Sequence, residues 1–225
     1  MGTSRQLIIF TKPPEPGQVK TRLQPLYSVK QSLAIHTALM RHTLTLGQSL
    51  LNSGIETQCW LSHPATSADI EYIKNEFDDI IFKYQQGSNL GDRMAHCLQT
   101  TLKTHKSTVI IGADCISLTP AVLHHAFSIL DKPEATVFAP AIDGGYVLVG
   151  SNISRTDYLN DIPWGTHSVM SVTRQRMRQQ PWYELPLQYD LDTSDDINIL
   201  KKMPSKTKAL EKLVQQIISI EHQID

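Results

Sequence analysis

Three cationic side chains lie close together near the start of the chain, in the segment FTKPPEPGQVKTRL (residues 10–23). Lys12, Lys20 and Arg22 follow the apolar run 7–10, which predicts a buried strand. Such cations can bind phosphate through charge-assisted hydrogen bonds worth about 1.5–3 kcal/mol each. The alternative is a stiff surface loop without a ligand, because charged residues are mostly exposed. The position directly after the first strand favours phosphate binding.

This segment is not a P-loop, although Gly17 to Thr21 match part of the pattern G-x-x-x-x-G-K-[ST]. Val19 stands where the second glycine of the pattern belongs. The prolines of the segment have no backbone N–H. A loop with so few backbone donors cannot hold phosphate through its main chain, so its side chains would have to do so.

Carboxylates follow two other predicted strands and could bind a divalent cation. Asp114 ends the run STVIIGAD, and the segment YDLDTSDD contains Asp190 and Asp192. Mg²⁺ typically takes one or two protein carboxylates together with substrate phosphates. The alternative role of Asp114 is to cap a turn. Asp195 and Asp196 favour a helix N-terminus, where the dipole attracts negative charge.

Two glycine-containing turns complete the candidate residues. In AIDGGYVLVG, Gly144 and Gly145 predict either a tight hairpin or a backbone that a ligand can approach closely. Asp143 of this turn could accept hydrogen bonds from hydroxyl groups. In QQGSNLGDRM, Arg93 stands in the first turn of a predicted helix, where a cation opposes the helix dipole. A residue that departs from local preference is a hint of function.

Alternating strands and helices are predicted to position these residues. Periodicity predicts helices over 30–53, 67–77, 92–105, 119–130, 166–177 and 205–224, and one more after Thr193. Thr119, Thr166 and Thr193 are the expected N-caps. Further strands are predicted in ETQCWLS, DIIFKY, STVIIGAD, ATVFAPA and GYVLVGS.

This alternation predicts an α/β fold with a mainly parallel sheet covered on both faces. Ligands of such sheets bind beyond the carboxyl ends of the strands. Four candidate loops lie there: the loops after Phe10 and after Tyr84, the turn at Asp114 and the AIDGG turn. They are therefore expected to form one site.

Composition narrows the class of protein. The chain has 225 residues, 40% of them hydrophobic, and a net charge of −1. We expect one domain spanning 1–225 with its own core. The near-zero charge argues against nucleic acid as a partner. Three cysteines without a C-x-x-C pair, together with the lack of a signal-peptide pattern or membrane-length apolar run, predict a cytoplasmic protein.

Six motifs occur in one order over about residues 6–200: FTKPPEPGQVKTRL, LGDRM, GADC, PAIDGGYVLVG, IPWGTHSVMSVT and YDLDTSDD. As a set they resemble a bacterial family of nucleotide-diphospho-sugar transferase-like proteins, DUF2064. Some members are called arsenosugar-biosynthesis glycosyltransferases. The resemblance implies the GT-A fold, a three-layer α/β/α sandwich with a mixed, mainly parallel sheet. Guanylyltransferases of molybdenum-cofactor and phospholactate metabolism share that fold.

The resemblance also implies a function and a set of site residues. The chain would transfer a glycosyl group from a nucleotide-diphospho-sugar to a small-molecule acceptor, with Mg²⁺ or Mn²⁺ as cofactor. Lys20 and Asp143 would be catalytic, and Asp114 and Asp192 would hold the metal. The nucleotide would contact Lys12, Gly17, Lys20, Thr21, Arg22, Gly87, Gly91 and Arg93, and the sugar or acceptor Asp143, Gly144, Gly145, Tyr146 and Trp164.

Two departures from the family pattern concern the metal site. Ile116 stands where the family commonly has proline, and a single aspartate replaces a D-x-D pair. Two other functions stay open beside glycosyl transfer. One is nucleotidyl transfer, in which an acceptor phosphate attacks the α-phosphate of a nucleoside triphosphate. The other is a non-catalytic nucleotide-binding protein.

Overall fold

A computed structural model of the chain describes residues 4–203 and 207–222. In this part of the chain, the strands are β1 Arg5–Thr11, β2 Ile55–Leu61, β3 Ile81–Tyr84, β4 Ser107–Gly112, β5 Thr136–Pro140, β6 Tyr146–Ser151 and β7 Trp182–Glu184. The α-helices are α1 Val29–Leu51, α2 Ala68–Glu76, α3 Leu90–Thr101, α4 Pro120–Ile129, α5 Val169–Arg176, α6 Ser194–Lys202 and α7 Lys208–Glu221.

The strands form a seven-stranded sheet in the order β3-β2-β1-β4-β6-β5-β7. The pairs β1–β2, β1–β4, β2–β3 and β5–β7 are parallel, whereas β6 runs antiparallel to β4 and β5. The hairpin through the AIDGG turn places β6 between β5 and β4. The prediction of an α/β fold with a mainly parallel sheet is therefore confirmed.

Alternate side chains of β1 pack on opposite faces of the sheet. Leu7 and Ile9 belong to a buried cluster with α1, α2 and α4, whereas Ile8 and Phe10 belong to a second cluster with α3 and α5. A third cluster joins α1 to α6 and α7. Helices thus cover both faces, as in a three-layer α/β/α sandwich. No helix of the described residues is both long enough and apolar enough to cross a membrane.

The predicted helix caps are confirmed at two of three positions. Thr119 caps α4 by accepting a hydrogen bond from Val122 N at 3.3 Å. Thr193 caps α6, where Asp196 Oδ2 accepts from Thr193 N at 2.6 Å. The prediction at Thr166 is wrong, because α5 begins at Val169 with Ser168 as its N-cap. Thr166 Oγ1 instead donates to the Pro163 carbonyl at 2.8 Å in the preceding turn.

Other differences concern element ends. Helix α3 begins at Leu90, two residues before the predicted start, because Asn89 accepts a hydrogen bond from Asp92 N. Strand β7 was not predicted. The ends of the predicted helix 205–224 lie partly outside the described residues, and α7 covers Lys208–Glu221.

Candidate functional site

The four predicted loops meet at one edge of the sheet and line two adjoining cavities. The first cavity, of about 470 Å³, is lined by Thr11, Lys12, Lys20, Thr21, Arg22, His36, Gln85, Arg93 and Asp192, among others. The second cavity, of about 280 Å³, is lined by Asp143, Gly145, Tyr146, Trp164 and Asp190, among others. Both cavities share Phe10, Leu90, Gly112 and Asp114 in their walls. The loops that the strand-end rule selected therefore lie together around these two cavities.

The Lys20 ammonium lies between the two predicted metal ligands. Its Nζ is 3.3 Å from Asp114 Oδ2 and 2.8 Å from Asp192 Oδ1, and it donates to the Leu191 carbonyl at 2.5 Å. The Lys20 side chain is only 7% exposed, whereas those of Asp114 and Asp192 are 41% and 38% exposed. A buried cation is thus compensated by two half-exposed carboxylates.

The ion pairs oppose the effect of burial on the pKa values of Lys20 and Asp114. Burial by itself would lower the pKa of Lys20, but Asp114 and Asp192 raise it above its ordinary value. Burial by itself would raise the pKa of Asp114, but the Lys20 ammonium lowers it below its ordinary value. Both groups are therefore charged at neutral pH.

Backbone pairing between distant segments brings the two aspartates together. Leu191 N donates to the Asp114 carbonyl at 3.0 Å, and Ile116 N donates to the Tyr189 carbonyl at 2.9 Å. The segment that follows β4 is thereby fixed beside the segment that precedes α6. This pairing places Asp114 and Asp192 on either side of Lys20.

The donor set does not fit a divalent ion in this arrangement. Asp114 and Asp192 offer the oxygen ligands that Mg²⁺ and Mn²⁺ prefer, but the Lys20 ammonium takes the position that a bridging ion would need. Among the described residues, no group of three or more His, Cys, Asp or Glu side chains is placed to hold a metal.

Three further cations line the first cavity. Arg22 is 71% exposed, with its NH1 3.6 Å from Asp192 Oδ2. Lys12 Nζ donates to the Gln18 carbonyl at 3.2 Å, and Arg93 Nε donates to the Gly87 carbonyl at 3.3 Å. A guanidinium has five N–H groups, so these contacts leave donors on both arginines that can reach an anion in the cavity.

The predicted glycines serve the backbone more than the cavity walls. Gly17 lies in the loop after β1, and Gly87 and Gly91 lie around the start of α3. A Cβ on Gly91 would meet the Leu159 carbonyl oxygen at 2.6 Å. None of these three glycines lines either cavity, so their predicted contact with a nucleotide stays a prediction.

The second cavity combines a carboxylate with aromatic rings. Asp143 Oδ1 accepts from Gly145 N at 2.8 Å, which orients the carboxylate at the turn. The Tyr146 and Trp164 rings meet edge to face with centroids 6.0 Å apart. Burial raises the pKa of Tyr146 well above its usual value. Such a wall offers hydrogen-bond acceptors and apolar surface to a small polar molecule.

Gly144 has a packing role that differs from the predicted ligand contact. Its φ is 90°, and a Cβ there would lie 2.1 Å from the His167 carbonyl oxygen. Met170 N donates to the Gly144 carbonyl at 2.8 Å. The AIDGG turn therefore holds the start of α5, and with it the segment that carries Trp164.

Two residues of the first cavity were missed from sequence. His36 of α1 is buried, and its Nε2 donates to the Lys12 carbonyl at 3.1 Å. Burial lowers the pKa of His36 to about 4. The Gln85 side-chain amide donates to the Trp60 carbonyl at 2.8 Å and fixes the loop after β3. A lone histidine in a helix and a lone glutamine in a loop carry no sequence signal of these contacts.

Asp190 was considered as a candidate but was not assigned to the site. It lines the second cavity and is half-buried. Burial, together with the nearby charges of Asp143 and Asp114, raises the pKa of Asp190 to about 6. Four carboxylates, Asp114, Asp143, Asp190 and Asp192, therefore lie around this part of the site.

Comparison with solved structures identifies the fold. A candidate nucleotide-diphospho-sugar transferase from Desulfovibrio desulfuricans G20 is similar over 99% of this chain and 100% of its own, with 26% identity and a TM-score of 0.83. Glucosyl-3-phosphoglycerate synthase from Mycobacterium tuberculosis, solved with Mn²⁺, UDP and glucosyl-3-phosphoglycerate, aligns over 100% of this chain and 82% of its own, with 10% identity and a TM-score of 0.51.

A nucleotidyltransferase has the same kind of fold. The inositol-1-phosphate CTP transferase from T. maritima aligns over 96% of this chain and 97% of its own, with 13% identity and a TM-score of 0.52. The predicted GT-A fold, shared by glycosyl and nucleotidyl transferases, is therefore confirmed. At these low identities, the last two similarities concern the fold alone.

Sequence comparison agrees with the motif-based identification. A search of curated protein sequences gives no significant match. The profile of a family described as "Uncharacterized protein conserved in bacteria (DUF2064)" matches residues 45–166. This match covers more than half of the chain, and the chain therefore belongs to the DUF2064 family.

Proposed function

We propose that the protein transfers a glycosyl group from a nucleotide-diphospho-sugar to a small-molecule acceptor. The observation that carries this proposal is the pair of adjoining cavities, one rich in cations and one lined by carboxylate and aromatic groups. The shared wall at Asp114 is where the bond between diphosphate and sugar would lie. The similarity to a candidate nucleotide-diphospho-sugar transferase supports the same class of reaction.

The first cavity suits the nucleoside diphosphate part of the donor. Its volume of about 470 Å³ lies within the usual range of about 300–1,000 Å³ for ligand sites. Lys12, Arg22 and Arg93 supply cationic donors at its wall. As the sugar leaves, negative charge grows on the diphosphate, and these fixed cations stabilise that charge.

Lys20 contributes differently from the predicted direct phosphate contact. Its three N–H donors are used by Asp114, Asp192 and Leu191 in the described arrangement. It therefore fixes the loop after β1 to the segment before α6. Its positive charge still lies at the cavity wall and adds to the field that attracts a diphosphate.

The second cavity suits the sugar and its acceptor. Asp143 presents a carboxylate there, and its Oδ1 is held by Gly145 N. A carboxylate in this position can orient an acceptor hydroxyl and take its proton as the new glycosidic bond forms. The Trp164 ring offers a flat apolar surface to the sugar.

The divalent ion belongs to the same proposal, supported by the Mn²⁺ and UDP bound to the mycobacterial synthase. Asp114 and Asp192 are the residues that would hold it, once Lys20 has left them. Since Lys20 takes one oxygen of each carboxylate here, no step of the transfer is assigned to the ion. The cytoplasmic location predicted from the sequence is part of the same proposal.

Nucleotidyl transfer is the second candidate, because the fold is also that of a CTP transferase. The two reactions differ in their products: glycosyl transfer releases a nucleoside diphosphate, whereas nucleotidyl transfer releases pyrophosphate. Product analysis with each nucleotide that binds therefore decides between them.

The first test is a thermal-shift panel of nucleoside diphosphates, nucleoside triphosphates and nucleotide sugars, each with Mn²⁺, Mg²⁺ or EDTA. A ligand at about 100 times its dissociation constant stabilises the folded chain by about 2.7 kcal/mol. Arg93→Ala should weaken binding roughly tenfold to a hundredfold, because one charge-assisted hydrogen bond is worth about 1.5–3 kcal/mol.

Lys103→Ala is the matched control, because Lys103 is an exposed cation that lines neither cavity. It should bind nucleotides as the unmodified chain does. If none of the nucleotides raises the melting temperature under any of the metal conditions, the proposed function is wrong.

A further inference from the structure

The ammonium of Lys20 makes all the hydrogen bonds that it can make, and all of them within the protein. Its three acceptors are Asp114 Oδ2 at 3.3 Å, Asp192 Oδ1 at 2.8 Å and the Leu191 carbonyl at 2.5 Å. An ammonium has three donors. The side chain is 7% exposed. All three N–H donors of Lys20 are therefore used within the protein, and none is left for a molecule in the cavity.

The backbone conformation at Lys20 directs its side chain towards Asp114 and Asp192. Lys20 has φ 45° and ψ 41°, a left-handed conformation that is unfavourable for an L residue. The turn is held directly after it, because Leu23 N donates to the Lys20 carbonyl at 2.9 Å and Leu23 is fully buried. Leu191, whose carbonyl accepts from Lys20, is also fully buried. Both ends of the contact are thus anchored in the core.

The position of the ammonium is the position of a bridging metal ion. Mg²⁺ binds oxygen at about 2.0–2.1 Å, so an ion shared by Asp114 and Asp192 would have to lie between their oxygens, where Nζ lies now. A divalent ion on the remaining oxygen of either carboxylate would lie next to the ammonium and be repelled by its charge. The two cations therefore compete for the pair.

We infer that Lys20 is the resident cation of the Asp114–Asp192 pair, and that a divalent ion binds these carboxylates only after Lys20 has left them. The inference rests on the proposed function, because it describes what the same cavity does when donor and metal arrive. Once released, the Lys20 ammonium has three donors for the phosphates of the donor. Metal and nucleotide therefore favour each other's binding, and this coupling is reciprocal.

Mn²⁺ titration of the nucleotide-free protein, followed by electron paramagnetic resonance of the free ion, tests the inference. Lys20→Met and Lys20→Gln remove the charge, and glutamine keeps N–H donors for the carboxylates. Both should bind Mn²⁺ at least tenfold more tightly than the unmodified protein. Lys20→Arg is the control that keeps the charge, and it should show no gain. Adding Asp192→Asn to Lys20→Met should abolish the gain.

Equal Mn²⁺ affinity of the unmodified protein and the folded Lys20→Met or Lys20→Gln variant would overturn the inference. If neither variant folds, the inference is tested by Mn²⁺ binding to the unmodified protein and to its Asp192→Asn variant. Mn²⁺ binding that is lost on Asp192→Asn, at an affinity that saturates in the micromolar range, would show that Lys20 does not exclude the ion. No such binding supports the inference.

The titration is separate from the proposed function, because no nucleotide takes part in it. Failure of every nucleotide to bind would overturn the function and leave the Mn²⁺ result standing. Tight, Lys20-independent Mn²⁺ binding would overturn the inference and leave the function standing.

Discussion

The contribution of one buried histidine, His36, to the stability of the protein should fall between pH 7 and pH 5. His36 packs under the loop after β1, with its Nε2 donating to the Lys12 carbonyl at 3.1 Å. Burial is the main cause that lowers its pKa to about 4, and Lys20 and Lys12 act in the same direction. The bond to the Lys12 carbonyl and the charge of Asp114 oppose that effect. The perturbation is His36→Gln, which keeps an N–H donor and removes the titrating ring.

The magnitude follows from linkage between protonation and folding. Below pH 6.5 the unfolded chain takes up a proton at this position, whereas the folded chain does so only near pH 4. Stability is therefore lost as the pH falls through this window. The value pH 5 lies about 1.5 pH units below the pKa of this histidine in the unfolded chain. Each unit is worth about 1.4 kcal/mol, so the loss of stability is about 2 kcal/mol.

Urea unfolding at pH 7 and pH 5 measures this loss as a difference between variants. The free energy of unfolding should fall by about 2 kcal/mol more in the unmodified chain than in His36→Gln. The other titratable groups are the same in both chains, so their contributions cancel in this difference. His125→Gln, at an exposed histidine of α4, should retain the full fall. An equal fall in His36→Gln and the unmodified chain would refute the burial argument.

Three further outcomes are expected at the AIDGG turn and at the second cavity beside it. Gly144→Ala should lower the free energy of unfolding in urea by about 2–5 kcal/mol, since it adds a clash with His167 to left-handed strain. The control Gly54→Ala has a positive φ as well but open space around it, and it should lower that free energy by only about 1–2 kcal/mol. Equal losses in the two variants would contradict the packing role of Gly144. Trp164→Ala should raise the calorimetric dissociation constant of a nucleotide sugar and leave that of the bare nucleoside diphosphate unchanged. If both affinities fall together, Trp164 does not contact the sugar. Asp143→Asn should lower turnover without changing nucleotide affinity, and unchanged turnover would remove Asp143 from the chemistry.

Elements with strong local signals were predicted well. The apolar run at the start of β1 and the Thr119-Pro120 start of α4 carry their structure in neighbouring residues. Strand β7 has three residues and exists because it pairs with β5 in parallel, so no local pattern predicts it. Thr166 resembles a cap in sequence, but its hydroxyl donates to the Pro163 carbonyl in the preceding turn and α5 begins at Val169.

The positions of the candidate site residues followed from sequence, because the ends of parallel strands meet at one edge of the sheet. The hydrogen-bond and ion-pair partners of these residues within the protein could not be predicted from the sequence. Lys20 was predicted to meet phosphate, and Asp114 and Asp192 to meet a metal, since each type has that preference by itself.

The sequence by itself determined the fold class, the family and the loops that form the site, because periodicity and motif order are properties of the chain. Only the tertiary structure decided that Lys20 would neutralise Asp114 and Asp192. The backbone pairing of Leu191 with Asp114 brings the carboxylates together, and a left-handed turn buries the ammonium between them. In a partly buried place opposite charges must pair, and which charges meet there depends on contacts between segments far apart in the sequence.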